Sequence, residues 1–227
     1  MKGVTFGVQG SMAHFRRPDT TATHLSYPFI TPTAAKGLVG AILGIENFVT
    51  KDYIGIEIKK PVRTVAQQLS FLGKDGASAL NRPTTVELIV APEYRIFYAG
   101  EEYTDSLIEK LQQQHAVYPT FLGCGYAITK PVLDKVFDDV SFVRANEEVE
   151  SCTVVPTDII GRLGITKERQ YGRAGGVMLY YRGERTFEQS VNYIYEQMGR
   201  SIVFTPKDHW DRNFLIARFG EDVACLV

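Results

Sequence analysis

Three cysteines in 227 residues, Cys124, Cys152 and Cys225, are too few and too scattered for a disulfide framework or a zinc site. Reduced thiols in the cytoplasm are the expectation. No apolar run approaches the roughly 18 to 20 residues of a membrane span, and the opening MKGVTFGVQG lacks the apolar stretch of a secretory signal. Neither G-x-x-x-x-G-K-[ST] nor G-x-G-x-x-G occurs, so ATP and dinucleotide chemistry are not indicated. The histidines at 14, 24, 115 and 209 have no H-x-x-x-H spacing, and no metal or other cofactor is expected. A net charge of −1 argues against a uniformly basic nucleic-acid binder.

What the chain does have is a 44% hydrophobic content, enough for a core, and an uneven distribution of charge. Residues 1–90 carry ten Lys or Arg against six Asp or Glu, and the remainder fifteen against twenty. The front half can therefore attract a polyanion locally while the back half repels one.

Val4, Phe6 and Val8 alternate with Thr5, Gly7 and Gln9, the period of a half-buried strand. A turn-rich loop follows, GSMAHFRRPDTTATHLSYPF, and then a helix. Thr31 or Thr33 can cap it, Pro32 suits its first turn, Ala35, Leu38, Val39, Ile42 and Leu43 form its apolar face, and Gly44 ends it. The runs 52–72 and 84–99 are rich in β-branched and aromatic residues and flank GKDGASALNRP, which predicts a hairpin with a long polar tip. A second helix is capped by Thr104 or Ser106, and YPTFLGCGYAI reads as loop and short strand. The order of strand, helix, strand, strand, helix, strand predicts an α+β, ferredoxin-like (RRM-like) domain over residues 1–130. Short strands predict a β-rich region over 131–227, where VNYIY reads as a strand and GRLGITKERQYGRAGG as a flexible basic linker.

Arg16 and Arg17 can each fork onto a phosphate, Phe15 precedes them, and a helix N-terminus lies downstream. This combination suits phosphates and unstacked bases. Phe6, Phe97 and Tyr98 would add a stacking surface if the sheet were open, with ordinary core as the alternative. Lys74 and Arg82 flank the hairpin tip, as RNA contacts or as a solvated turn. Metal-free RNA cleavage needs a group to take the 2′-hydroxyl proton and another to stabilise the phosphorane. His14, His24, Tyr27 and Lys36 are the residue types for it, although such residues also serve simply to orient loops. His115 ends the second helix, where a cation complements the dipole.

The runs GSMAHFRRP, TATHLSYPFITPTAAKGLVGAILG and YPTFLG together resemble the fifth CRISPR-associated protein family, RAMP-superfamily subunits of type I Cascade, with a type I-B flavour. The resemblance is closest over residues 3–45 and 117–128. It implies a ferredoxin-like domain with a hairpin thumb, here about residues 70–86. It also implies a non-catalytic subunit that caps the 5′ handle of the crRNA and contacts the large subunit and the first backbone subunit, with target DNA as a further contact. Carried over by position, His14, Phe15, Arg16, Arg17 and Lys36 become handle-binding candidates, joined by Lys74, Arg82 and Tyr118. Gly123 and Gly125 would permit close backbone approach. In one branch of the family a Tyr, Lys and His set cuts precursor RNA. Here QQQHAVYPTFLG offers His115 with no adjacent lysine, which favours binding over cleavage.

Overall fold

The computed structural model describes residues 1–72, 81–143 and 147–227. In chain order its first part holds β1 (Gly3–Gln9), β2 (Met12–Ala13), α1 (Pro32–Leu43), β3 (Tyr53–Ile58), β4 (Thr64–Leu72), β5 (Asn81–Val90), β6 (Glu93–Ala99), α2 (Thr104–Gln112) and β7 (Val132–Phe137). The second part is all strand: β8 (Ser141–Phe142), β9 (Val149–Ser151), β10 (Val155–Pro156), β11 (Ile160–Leu163), β12 (Tyr171–Tyr181), β13 (Phe187–Glu196), β14 (Ile202–Pro206), β15 (Leu215–Phe219) and β16 (Asp222–Leu226).

The central sheet runs β3-β6-β1-β7 with every neighbour antiparallel, and a helix follows its first and its third strand in chain order. This is the ferredoxin-like arrangement. Val4, Phe6 and Val8 of β1 lie opposite Tyr98, Ile96 and Tyr94 of β6. Ile54, Ile56 and Ile58 of β3 continue that face, and both helices bury their apolar stripes in the same core. α1 forms as its sequence dictates: Pro32 occupies the first turn, Thr31 Oγ1 accepts a hydrogen bond from the Ala34 amide at 3.2 Å, and Gly44 closes the helix at φ 78°.

The cap of α2 differs from expectation. Neither Thr104 nor Ser106 supplies it, and among the described residues no side chain caps the first turn; the buried Asp52, fifty residues upstream, instead fixes the chain just before the helix. Its carboxylate accepts from the amides of Glu102 and Tyr103, at 3.0 and 2.8 Å, and from the Tyr98 hydroxyl at 2.9 Å. The acid sits where the helix dipole favours negative charge.

The other face of the sheet is covered as well. Phe97 and Ala99 pack with Ala217 and Phe219 of β15 and with Ala224 and Leu226 of β16, the rings of Phe97 and Phe219 meeting edge-on at 5.1 Å. Thr5, which the alternation places toward solvent, is therefore fully buried, as are Phe6, Phe97 and Tyr98. An open sheet on which bases stack is not available, because the β-rich region closes over it.

The two long β-prone runs do not each form one strand. β3 and β6 stay in the central sheet, while β4 and β5 leave it as a second hairpin that adds β2 at its base. The breaks fall at Pro61 and at Ala91 (φ 47°) before Pro92, where proline interrupts the ladder. This hairpin spans the stretch near 70–86 where the resemblance puts a thumb, and is called the thumb below; its tip lies outside the described residues. The last strand of the central sheet is β7 rather than YPTFLGCGYAI, which holds only a bridge between Phe121 and Ile128. β7 therefore lies past residue 130, inside the stretch 131–227 expected as the β-rich region.

VNYIY lies in β13 as expected. The linker reading of GRLGITKERQYGRAGG is corrected: most of it is β11 and the start of β12, paired to β14 and β13. Among the described residues no helix is long and apolar enough to cross a membrane.

Candidate nucleic-acid interface

The loop between β2 and α1 is held at many points. Phe15 N–H donates to Ser26 Oγ at 3.0 Å, Tyr27 N–H to the Phe15 carbonyl at 2.8 Å, and Arg17 N–H to the Leu25 carbonyl at 2.9 Å. The same loop is bonded to the thumb. His24 N–H donates to the Thr85 carbonyl at 2.8 Å, the Glu87 amide donates to the His24 carbonyl at 2.9 Å, and the Glu87 carboxylate accepts from the Ser26 amide at 2.9 Å. Basic loop and thumb base are thus one unit, a union that neither segment reveals alone. Glu87 is the trace it leaves in the sequence: a lone acid in the apolar run TTVELIV.

A groove of about 290 Å³ opens along this loop, lined by His14, Phe15, Arg16, Tyr27, Gly123 and the first residues of α1. His14 is 7% exposed. Its Nδ1 lies 2.8 Å from the Glu87 carbonyl, so that nitrogen carries the proton, and its buried Nε2 has no partner among the described residues. Neutral, Nε2 accepts from a hydroxyl or amino group; protonated, it donates to a phosphate. Of the first-turn positions of α1, Pro32 has no N–H and the Ala34 amide is taken by Thr31 Oγ1, which leaves the Thr33 amide and the helix dipole to favour an anion in the same space.

The arginines are not equivalent. Arg17 holds Asp19 through two bonds, Nε to Oδ1 at 3.1 Å and Nη2 to Oδ2 at 2.6 Å, and this pairing lowers the pKa of Asp19. Arg16 is exposed, and among the described residues its side chain has only a 3.5 Å contact from Nη2 to the Thr20 carbonyl. Its fork is free for a phosphate, and that of Arg17 is taken. His24 packs beside Phe71 of the thumb at 5.7 Å between ring centres. Burial first, and then the charges of Arg16, His14 and Arg82, hold its pKa below the usual 6.5.

The remaining candidates scatter. Phe15 is buried and edge-on to Tyr94 at 6.3 Å, so it builds the groove's floor and offers no free face for stacking. Tyr27 is buried, with its hydroxyl donated to the Gly176 carbonyl at 2.6 Å and its pKa raised by burial. Gly123, at φ 82°, is glycine because a Cβ would run into the His14 carbonyl; the backbone it admits is the loop's own. Gly125 touches nothing with the place of its missing Cβ and does not line the groove. Tyr118 is 42% exposed and its amide bonds the Ala41 carbonyl, which places it at the far end of α1, roughly 15 Å along the helix from the groove. Lys36 lines a different cleft. Arg82 is exposed on β5, and Lys74 lies outside the described residues. His115 follows α2, its amide bonded to the Lys110 carbonyl at 3.0 Å. Met178 and Phe187 of the β-rich region also line the groove, and nothing in the sequence separates them from ordinary strand residues.

A family model described as CRISPR-associated protein (Cas_Cas5) matches residues 3–140, the stretch that holds the loop, the thumb and the central sheet. The chain belongs to the Cas_Cas5 family. No curated protein matches it. Among solved structures, a CRISPR protein from Archaeoglobus fulgidus is similar at a TM-score of 0.59 and 12% identity, with 99% of this chain and 98% of that one covered. A chain from a CRISPR RNA-guided surveillance complex is similar at 0.54 and 12% identity, covering 93% and 95%. A chain from a Type III-B Cmr-beta complex bound to cognate target RNA and AMPPnP is similar at 0.52 and 11% identity, covering 88% and 86%. The Cas_Cas5 match ends at the β-rich region, but the likeness of fold runs the length of the chain.

Proposed function

We propose that this Cas_Cas5 member is a subunit of a crRNA-guided effector complex that holds the 5′ handle of the crRNA without cutting it. The backbone and large subunits bind elsewhere on its surface. The observation that carries this reading is the groove where the exposed fork of Arg16, the unpartnered Nε2 of His14 and the start of α1 at Thr33 converge. Together these suit a phosphate beside a hydroxyl or a base edge. The family, and the RNA-guided complexes that share the fold, supply the context.

Several features support binding over cleavage. The Tyr27 proton is committed to a carbonyl, the Lys36 amine opens into another cleft, and His24 sits on the thumb side of the loop. A general base and a stabilising cation would have to meet at one phosphate; of the four candidates only His14 and Tyr27 line the same groove.

The test is to incubate the protein in EDTA with a labelled RNA carrying its CRISPR repeat, and to run native and denaturing gels from the same tube. A shifted, intact RNA is expected. A cut RNA ending in a 2′,3′-cyclic phosphate would overturn the non-catalytic reading, and an unshifted RNA would overturn handle binding.

A further inference from the structure

Beyond Phe187 and Thr33, which border both spaces, lies a second and larger cleft of about 640 Å³, within the range of small-molecule sites. Lys36 and Gly37 of α1 line it together with Tyr53, Tyr180 and Tyr181. Three of these residues carry costs that nothing among the described residues offsets. Gly37 is exposed in mid-helix and a Cβ there would meet nothing within 4 Å, so its flexibility is paid for without any close contact in the fold. Lys36 is partly buried, with no hydrogen bond or ion pair among the described residues. Lost hydration brings its amine down to about 8, against the weaker opposing pull of Asp52 and Glu102. The Tyr180 hydroxyl is buried without a partner, on a residue held at φ 55°. Strain of that kind persists where a site is being shaped.

We infer that this cleft binds a single nucleotide unit, its base among the tyrosines and its phosphate on the Lys36 amine. A dehydrated ammonium calls for an anion, the aromatic walls for a planar ring, and the Tyr180 hydroxyl for a polar edge on that ring. The bare surface at Gly37 lets the ligand lie against the helix. A cation is a poor occupant, because the carboxylate lining the cleft, Glu188, is already bonded to Arg182 at 2.6 Å. A purely apolar ligand would bury Lys36 and Tyr180 unpaired. The nucleotide is either free or one unit of a strand, and the inference stands apart from the reading of the loop groove.

The test uses the full chain, titrated calorimetrically with AMP and with adenosine. AMP is expected to bind at least about tenfold more tightly than adenosine, and Lys36→Met to erase that preference. Gly37→Leu should abolish binding while its thermal melt shows an intact fold, and Tyr180→Phe should weaken binding with the fold unchanged. Displacement of a labelled oligoribonucleotide by AMP identifies a strand's nucleotide as the occupant; AMP binding without displacement identifies a free nucleotide. Arg16→Ala should leave AMP binding unchanged, which separates this cleft from the groove. Absence of saturable AMP binding, or binding that survives Gly37→Leu, overturns the inference.

Discussion

At the scale of single residues, Arg16 and Arg17 are neighbours in sequence with opposite commitments. The Arg17 fork is closed on Asp19, and such a pair orders the loop more than it reaches for a ligand. Arg16→Ala is therefore expected to weaken repeat-RNA binding more than Arg17→Ala. It should also reduce the slope of log affinity against log salt by about 0.7, the loss of one single-strand phosphate contact. Filter binding at several salt concentrations measures both, and equal effects of the two substitutions would show that Arg16 has no special place.

His24 carries a pH dependence whose sign can be worked out. Its pKa in the folded protein lies below 6.5 because burial first, and then the charges of neighbours such as Arg16 and Arg82, disfavour the imidazolium. A phosphate nearby would favour that imidazolium, so RNA binding takes up a proton and affinity rises as pH falls from 7.5 to 6. The free protein trends the other way: the stability that a neutral His24 contributes is present above pH 6.5 and is lost as pH falls below it. Affinity measured against pH should show the rise in the wild type and a flatter curve in His24→Gln; identical curves would remove His24 from the interface.

At the scale of elements, the helices separate what the sequence displays from what it hides. α1 carries its own start, stop and apolar face within fourteen residues, Thr31 to Gly44, so it was legible. The start of α2 depends on Asp52, which no local pattern links to Tyr103. The thumb was legible as a hairpin, but its separation from the central sheet rests on Pro61 and Pro92, single residues inside long β-prone runs. The groove was half legible. His14, Arg16 and the start of α1 lie close in sequence, whereas Glu87 and Phe187 join them only through tertiary contacts. In thermal melts, Asp52→Ala should cost about 3 kcal/mol, since it strands two amides and the Tyr98 hydroxyl, lowering Tm by roughly 6–12 °C. Gly37→Ala should instead raise stability by about 0.5–1 kcal/mol. A loss on Gly37→Ala would mean that the bare helix surface is needed inside the fold.

At the scale of the whole molecule, the β-rich region decides how a ferredoxin-like domain can meet nucleic acid. It buries the sheet face that an RRM-like protein would present, through Phe219, Ala224 and Leu226. The groove proposed for RNA lies instead at the rim, where the loop and α1 meet Met178 and Phe187. The same division follows the charge: the rim belongs mainly to the basic front half, and residues 91–227 carry the excess of acids. On the proposed reading, RNA lies at the edge of the front half and the back half's surface is left for other subunits.

The most direct test of that account is to place a photoreactive nucleotide at the 5′ end of the repeat-derived RNA, crosslink it to the protein and map the attached peptide. The account predicts attachment within residues 14–27 or beside Gly123, lost when Arg16 is replaced by alanine. Attachment confined to the strands of the β-rich region, and indifferent to that substitution, would contradict it.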